Sequence, residues 1–93
     1  MTAKKISVEE LRYQHFPLED VLQTFEERFE RGHKLRTAMA LTNEYHEEIP
    51  LIVRLANGDD VEVSSSMIDF EDDYVELKGG FGIPVVAIVD VGL

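Results

Sequence analysis

The residues able to do chemistry in this chain are few, and their spacing does not favour catalysis. His15, His33 and His46 show none of the short spacings by which histidines share a metal ion, and His46-Glu47-Glu48 lacks the second histidine of a zinc-protease helix. Ser64-Ser65-Ser66 has no glycine frame for a nucleophile elbow, and Gly79-Gly80-Phe81-Gly82 is too short for a phosphate loop. The absence of cysteine excludes a thiol nucleophile, a thiolate zinc site and any disulfide. What remains is the acidic run Asp69, Glu71, Asp72 and Asp73. Its carboxylates are hard oxygen ligands that suit Mg²⁺ or Ca²⁺, but such runs are more often solvated turns. No catalytic residue, metal site or cofactor is assigned, and the chain is expected not to be an enzyme.

Charge is more informative than any motif. Residues 1–43 balance seven Lys/Arg against seven Asp/Glu, whereas residues 44–93 set only Arg54 and Lys78 against twelve acids, so the whole excess of -10 lies in the second half. Nucleic-acid affinity begins with neutralising phosphates, and this half would repel a polyanion unless another surface compensates. The one candidate for such a surface is the basic cluster Arg28, Arg31, His33, Lys34 and Arg36. It reads as a phosphate-binding strip, as helix-terminal charges paired with Glu26, Glu27 and Glu30, or as a surface facing the acidic half of a neighbouring copy.

These residues must be positioned by elements that differ between the two halves. Ser7-Val8-Glu9-Glu10 is a capping box that opens a short helix through about His15. Pro17 suits the first turn of a second helix, along which Leu18, Val21, Leu22, Phe25 and Phe29 recur at helical spacing until Gly32 supplies a C-cap. Leu35, Ala38, Met39 and Leu41 then suit one face of a third helix over 33–43, favoured here, or the lead-in to a strand. After Pro50 the period changes. Leu51–Ala56 and Asp59–Ser64 flank Asn57-Gly58 and predict a β-hairpin, whose second strand continues or bends through 65–69, with further strands at 74–78 and on both sides of Pro84 within 83–91. Five short strands in about forty residues cannot bury themselves as a flat sheet, which predicts a bent barrel.

The segments Val53-Arg54-Leu55-Ala56-Asn57-Gly58-Asp59-Asp60-Val61, Ile68–Leu77 and Ile83–Val91 resemble the two motifs of the Sm/LSm family and its bacterial Hfq relatives. The resemblance implies an α+β fold: an N-terminal helical segment over 1–45 packed on a five-stranded, strongly bent antiparallel SH3-like or Sm-like barrel over 46–93, as one folding unit. It implies a cyclic homo-oligomer, closed by pairing the open strand edges of adjacent subunits. It also implies RNA or single-stranded nucleic acid at the pore turns, held by Asp69, Phe70 and Tyr74 on one turn and by Lys78, Gly79, Gly80 and Phe81 on the other. Tyr74 or Phe81 would stack on a base, unless Tyr74 fills the barrel and Phe81 packs on a neighbour.

The family's basic RNA-holding segments have no counterpart here, so the expectation has two branches. One is a non-enzymatic, Sm-like ring that binds nucleic acid. The other is an acidic protein-interaction or assembly module that binds none. The start of the chain carries no apolar run of signal-peptide length and no segment reaches the length of a membrane span, which predicts a cytoplasmic protein without a membrane partner.

Overall fold

The computed structural model describes residues 3–93. Strand β1 (Lys4–Lys5) leads to helix α1 (Val8–Leu11). The Ser7 hydroxyl accepts from the Glu10 N–H at 3.1 Å, and the Glu10 carboxylate accepts from the Ser7 N–H at 3.2 Å. The capping box is therefore real, but the helix is a single turn that ends at Leu11 rather than near His15. It buries Leu11 completely.

A second capping box, which the sequence reading passed over, sets the start of helix α2 (Phe25–Tyr45). Thr24 accepts from the Glu27 N–H at 3.1 Å, and the Glu27 carboxylate accepts from the Thr24 N–H at 3.1 Å. Pro17 therefore starts no helix, and residues 12–24 form an irregular stretch between the two helices. Gly32 does not end α2 either. A mid-helix glycine costs roughly 0.5–1 kcal/mol against alanine, and contacts on either side outweigh that: Arg31, Leu35, Ala38 and Thr42 are all buried at helical spacing. The helix ends at His46, which takes a left-handed conformation (φ 55°) and donates its N–H to the Thr42 carbonyl.

The second half forms β2 (Ile49–Arg54), β3 (Asp60–Ser65), β4 (Ile68–Glu71), β5 (Tyr74–Leu77), β6 (Gly82–Pro84) and β7 (Ile88–Val91), with one 3-10 turn at Val85–Ala87. The hairpin around Asn57-Gly58 is present, with Leu51 opposite Val63 and Arg54 opposite Asp60. Its loop is longer than a two-residue turn, because Leu55 bonds Asp59 and the Gly58 N–H bonds Leu55. Gly58 supplies the positive φ, 94°, that such a loop needs.

Two sheets result, ordered β1-β3-β2-β7 and β4-β5-β6. This overturns the expected five-stranded barrel on an N-terminal helical segment. Among the described residues there are seven strands, no closed barrel, and a long helix that is internal, following a strand and an irregular stretch. The physical reason lies at two breaks in the ladder. Between β3 and β4 the Ser65 hydroxyl donates to the Met67 carbonyl at 2.6 Å and accepts from the Met67 and Lys78 N–H groups, each at 3.2 Å. Between β6 and β7 the chain turns through Val85–Ala87 after Pro84, which has no N–H to give. The expected ring followed from the open edges of a barrel, and that argument lapses with the barrel.

One core lies between the elements. Leu35 and Ala38 of α2 meet Leu51, Val53, Val63, Ile88 and Val91 of the first sheet and Ile68, Val75, Leu77 and Ile83 of the second. The Thr42 hydroxyl accepts the Ile68 N–H at 3.2 Å and so ties α2 to β4. No helix among the described residues is long and apolar enough to cross a membrane.

Candidate interaction surface

Strand alternation makes the β4-β5-β6 sheet two-faced. Ile68, Val75, Leu77 and Ile83 point into the core, so Asp69, Glu71, Tyr74 and Glu76 point outward and are exposed. The register sets Asp69 opposite Glu76, and Glu71 opposite Tyr74. On the other side of β5, Tyr74 stands opposite Pro84 and Glu76 opposite Gly82. The outer face thus carries a row of two carboxylates directly opposed and, beside it, a row running Glu71–Tyr74–Pro84. Like charges facing each other across a ladder disfavour folding slightly, so the register here is held by the flanking core pairs Ile68–Leu77 and Phe70–Val75 and not by the Asp69–Glu76 pair.

The apolar end of this face opens into a cleft of about 600 Å³ between β5, β6 and the irregular stretch. Phe16, Leu18, Tyr74, Pro84 and Val86 line it together with the polar Gln14, His15 and Asp73. Leu18 is 97 % exposed and Tyr74 59 % exposed, although both are large and apolar in bulk. The Val21 N–H donates to the Val86 carbonyl at 2.9 Å, which holds the irregular stretch against the sheet.

The seven expected nucleotide-facing residues do not converge. Asp69 is exposed, whereas Phe70 is half-buried against the core with its N–H 3.3 Å from the Met39 sulfur. Phe81 packs on Phe16, ring centroids 6.4 Å apart, and lies 5.9 Å beneath the Arg12 guanidinium. Lys78, Gly79 and Gly80 form the β5–β6 turn, with Gly79 and Gly80 at positive φ. That turn and Tyr74 lie at opposite ends of β5, about 10 Å apart at the usual rise per residue. The acidic run is likewise spread out: among the described residues, no group of three or more His, Asp or Glu side chains converges to hold a metal ion.

The basic cluster is divided by helical geometry and mostly consumed. Arg31 is buried, donating to both Asp20 oxygens at 2.8 and 2.7 Å and to the Ile88 carbonyl at 3.1 Å. Arg28 donates to the Leu22 carbonyl at 2.9 Å and approaches Asp20 at 3.5 Å, and Lys34 reaches Asp90 at 3.1 Å. His33 and Arg36 are exposed on other sides of the helix. Lys5, Arg12 and Arg54 pair with Glu62, Glu9 and Asp60, so among the described residues six of the nine Lys/Arg are in ion pairs. Lys4, Arg36 and Lys78 remain, on three separate elements.

Burial pushes the Asp20 carboxyl up, but the Arg31 bond, the Leu22 N–H and the charges of Arg31 and Arg28 together outweigh it and hold the group below its ordinary value. The hydrogen bond from Arg54 to Asp60, and then the Asp60 charge, raise the Arg54 guanidinium. No protein-family model, curated protein or solved structure matches the chain.

The sequence reading singled out Tyr74 but missed Leu18, Phe16, Pro84 and Val86. The Thr24-Phe25-Glu26-Glu27 capping box is a sequence signal that bears on Leu18 alone; nothing in the sequence brings Phe16, Pro84 and Val86 to Tyr74. The box places the helix start after Leu22 and removes Leu18 from any helical apolar face.

Proposed function

We propose that this chain is a non-enzymatic protein-interaction module, which binds a partner polypeptide through the outer face of β4-β5-β6 and the adjoining cleft. One observation carries the reading: Leu18 and Tyr74 expose their apolar bulk at an open, shallow cleft of about 600 Å³, beside carboxylates that have no ion-pair partner among the described residues. Nucleic acid fits this surface poorly, because three carboxylates share it and most of the chain's cations are already paired.

A photocrosslinking amino acid in place of Leu18, and separately in place of Tyr74, tests the assignment in the native cell, with Glu48 as a remote control position. The expected result is one polypeptide, identified by mass spectrometry, crosslinked at both sites and not at Glu48. Crosslinks to nucleic acid, or none at either site, would overturn the proposal.

A further inference from the structure

Resting on that reading, we infer the chemistry of the partner: an extended basic segment in which an apolar residue and a Lys or Arg alternate on one face. The argument starts from the spacing of two rows. Tyr74 and Glu76 lie two residues apart on β5 and face the same way, roughly 6.6 Å from each other at the usual strand rise. An extended peptide projects every second side chain to one face at the same interval. A peptide lying along β5 therefore sets one side chain at the Tyr74–Pro84 row, where the cleft opens, and the next over the Glu76–Asp69 row.

Each row selects its occupant. The first is walled by Leu18, Tyr74, Pro84 and Val86, which reward an apolar side chain desolvated among them. The second is two opposed carboxylates with no ion-pair partner among the described residues. A cation placed there relieves a repulsion that the free sheet carries, and neutralises charge on the half of the chain that holds the whole excess. Asp73, which also lines the cleft, adds to the same field. A second copy of this chain is a poor occupant, since it carries the same net charge of -10 and, among the described residues, most of its Lys and Arg are already in ion pairs.

The backbone of β6 narrows the mode of binding. Leu77 bonds the Phe81 carbonyl and the Val85 N–H bonds the Asp73 carbonyl, so the main-chain groups of Ile83 turn toward β5 while those of Gly82 and Pro84 turn toward the free edge. Pro84 has no N–H there. The edge offers a single donor, from Gly82, and is ill suited to adding a strand. Recognition therefore runs through side chains over the face.

Fluorescence anisotropy with a labelled decapeptide tests this, the probe carrying leucine and lysine at alternate odd positions with serine between them. Two controls replace its lysines by glutamate or its leucines by serine. The expected result is saturable binding of the leucine–lysine peptide alone, weakening as salt rises. Leu18→Ser weakens it about tenfold. Glu76→Gln weakens it about threefold and flattens the salt dependence. Leu18 is almost wholly exposed, so Leu18→Ser keeps its melting temperature and a loss of binding is not a loss of fold. No binding by the native chain, equal binding of the glutamate control, or an unchanged affinity in Leu18→Ser would each overturn the inference. If the peptide fails while the Leu18 and Tyr74 crosslinkers still capture one identified polypeptide, the module survives and the basic segment does not.

Discussion

Arg31 and Asp20 form a two-pronged ion pair, Nη1 to Oδ1 at 2.8 Å and Nη2 to Oδ2 at 2.7 Å, that pins the irregular stretch onto helix α2. Arg31 is only 6 % exposed, and the same guanidinium also donates to the Ile88 carbonyl where β7 begins. Three parts of the chain meet at one side chain. Asp20→Asn leaves the buried Arg31 charge without a carboxylate and is expected to cost about 3 kcal/mol, whereas Arg31→Met leaves Asp20 with Arg28 at 3.5 Å and the Leu22 N–H and should cost less, about 1–3 kcal/mol. Urea denaturation of both single variants and the double variant checks this. The double variant is expected to lose clearly less than the sum of the singles, because the partners are in direct contact.

Acid should act on the same pair. The folded pKa of Asp20 lies below its ordinary value of 3.8, so its stabilisation is fully present above that value and is lost as pH falls through the depressed one. Thermal melts between pH 7 and pH 2 are expected to show this loss below about pH 4. In Asp20→Asn the acid limb should be shallower but not flat, since the Thr24 hydroxyl, and then the Thr24 N–H, hold the Glu27 carboxyl down as well.

Two hydroxyls replace missing ladder bonds and should be costly to delete. Ser65→Ala orphans the Met67 and Lys78 N–H groups at the break between the sheets, and Thr42→Val keeps the shape but orphans the Ile68 N–H. Each is expected to lower stability by about 1–3 kcal/mol in chemical denaturation. A loss below 0.5 kcal/mol, as for an ordinary surface change, would count against their bridging role.

Gly92 lies against β2. A Cβ added there would stand 2.5 Å from the Pro50 Cγ and 3.2 Å from the Pro50 carbonyl oxygen. Pro50 is held within a paired strand and its ring has little room to yield. Gly92→Ala is expected to cost about 1–3 kcal/mol, read as a lowered melting midpoint, whereas Gly32→Ala, whose nearest neighbour is the flexible end of Arg36 at 3.8 Å, should be neutral or stabilising.

The second half of the chain was legible because period-two alternation is a strong signal over short distances. Val61 and Val63 alternate with polar residues, Asn57-Gly58 marks the turn, and the hairpin forms there, although its longer loop shifts the register by one residue from that of a two-residue turn. What the pattern could not supply was how strands join across breaks. Ser65 and the Val85–Ala87 turn divide the ladder through side-chain and turn geometry that no periodicity records. The helices were misplaced because Leu18, Val21 and Leu22 happen to match a helical stripe, and Gly32 resembles a stop. Tertiary contacts at Arg31 and Leu35 overrode the second, and the Thr24 capping box settled the first. Of the interaction surface, Tyr74, Asp69 and Glu71 could be read from the sequence, but Glu76 stands out only once the register sets it opposite Asp69, and the cleft depends on an irregular stretch that only the fold brings against β6.

The break at Ser65 also divides the molecule in time. Among the described residues no backbone–backbone hydrogen bond joins the two ladders, so amide protons of the three-stranded sheet can exchange with solvent by openings that leave the Leu51–Val63 and Leu51–Val91 pairings shut. The hydrogen-bonded amides of β5, such as Val75 and Leu77, are thus set to exchange as one group and those of β2 as another, slower one. The surface that carries the cleft belongs to the faster clock.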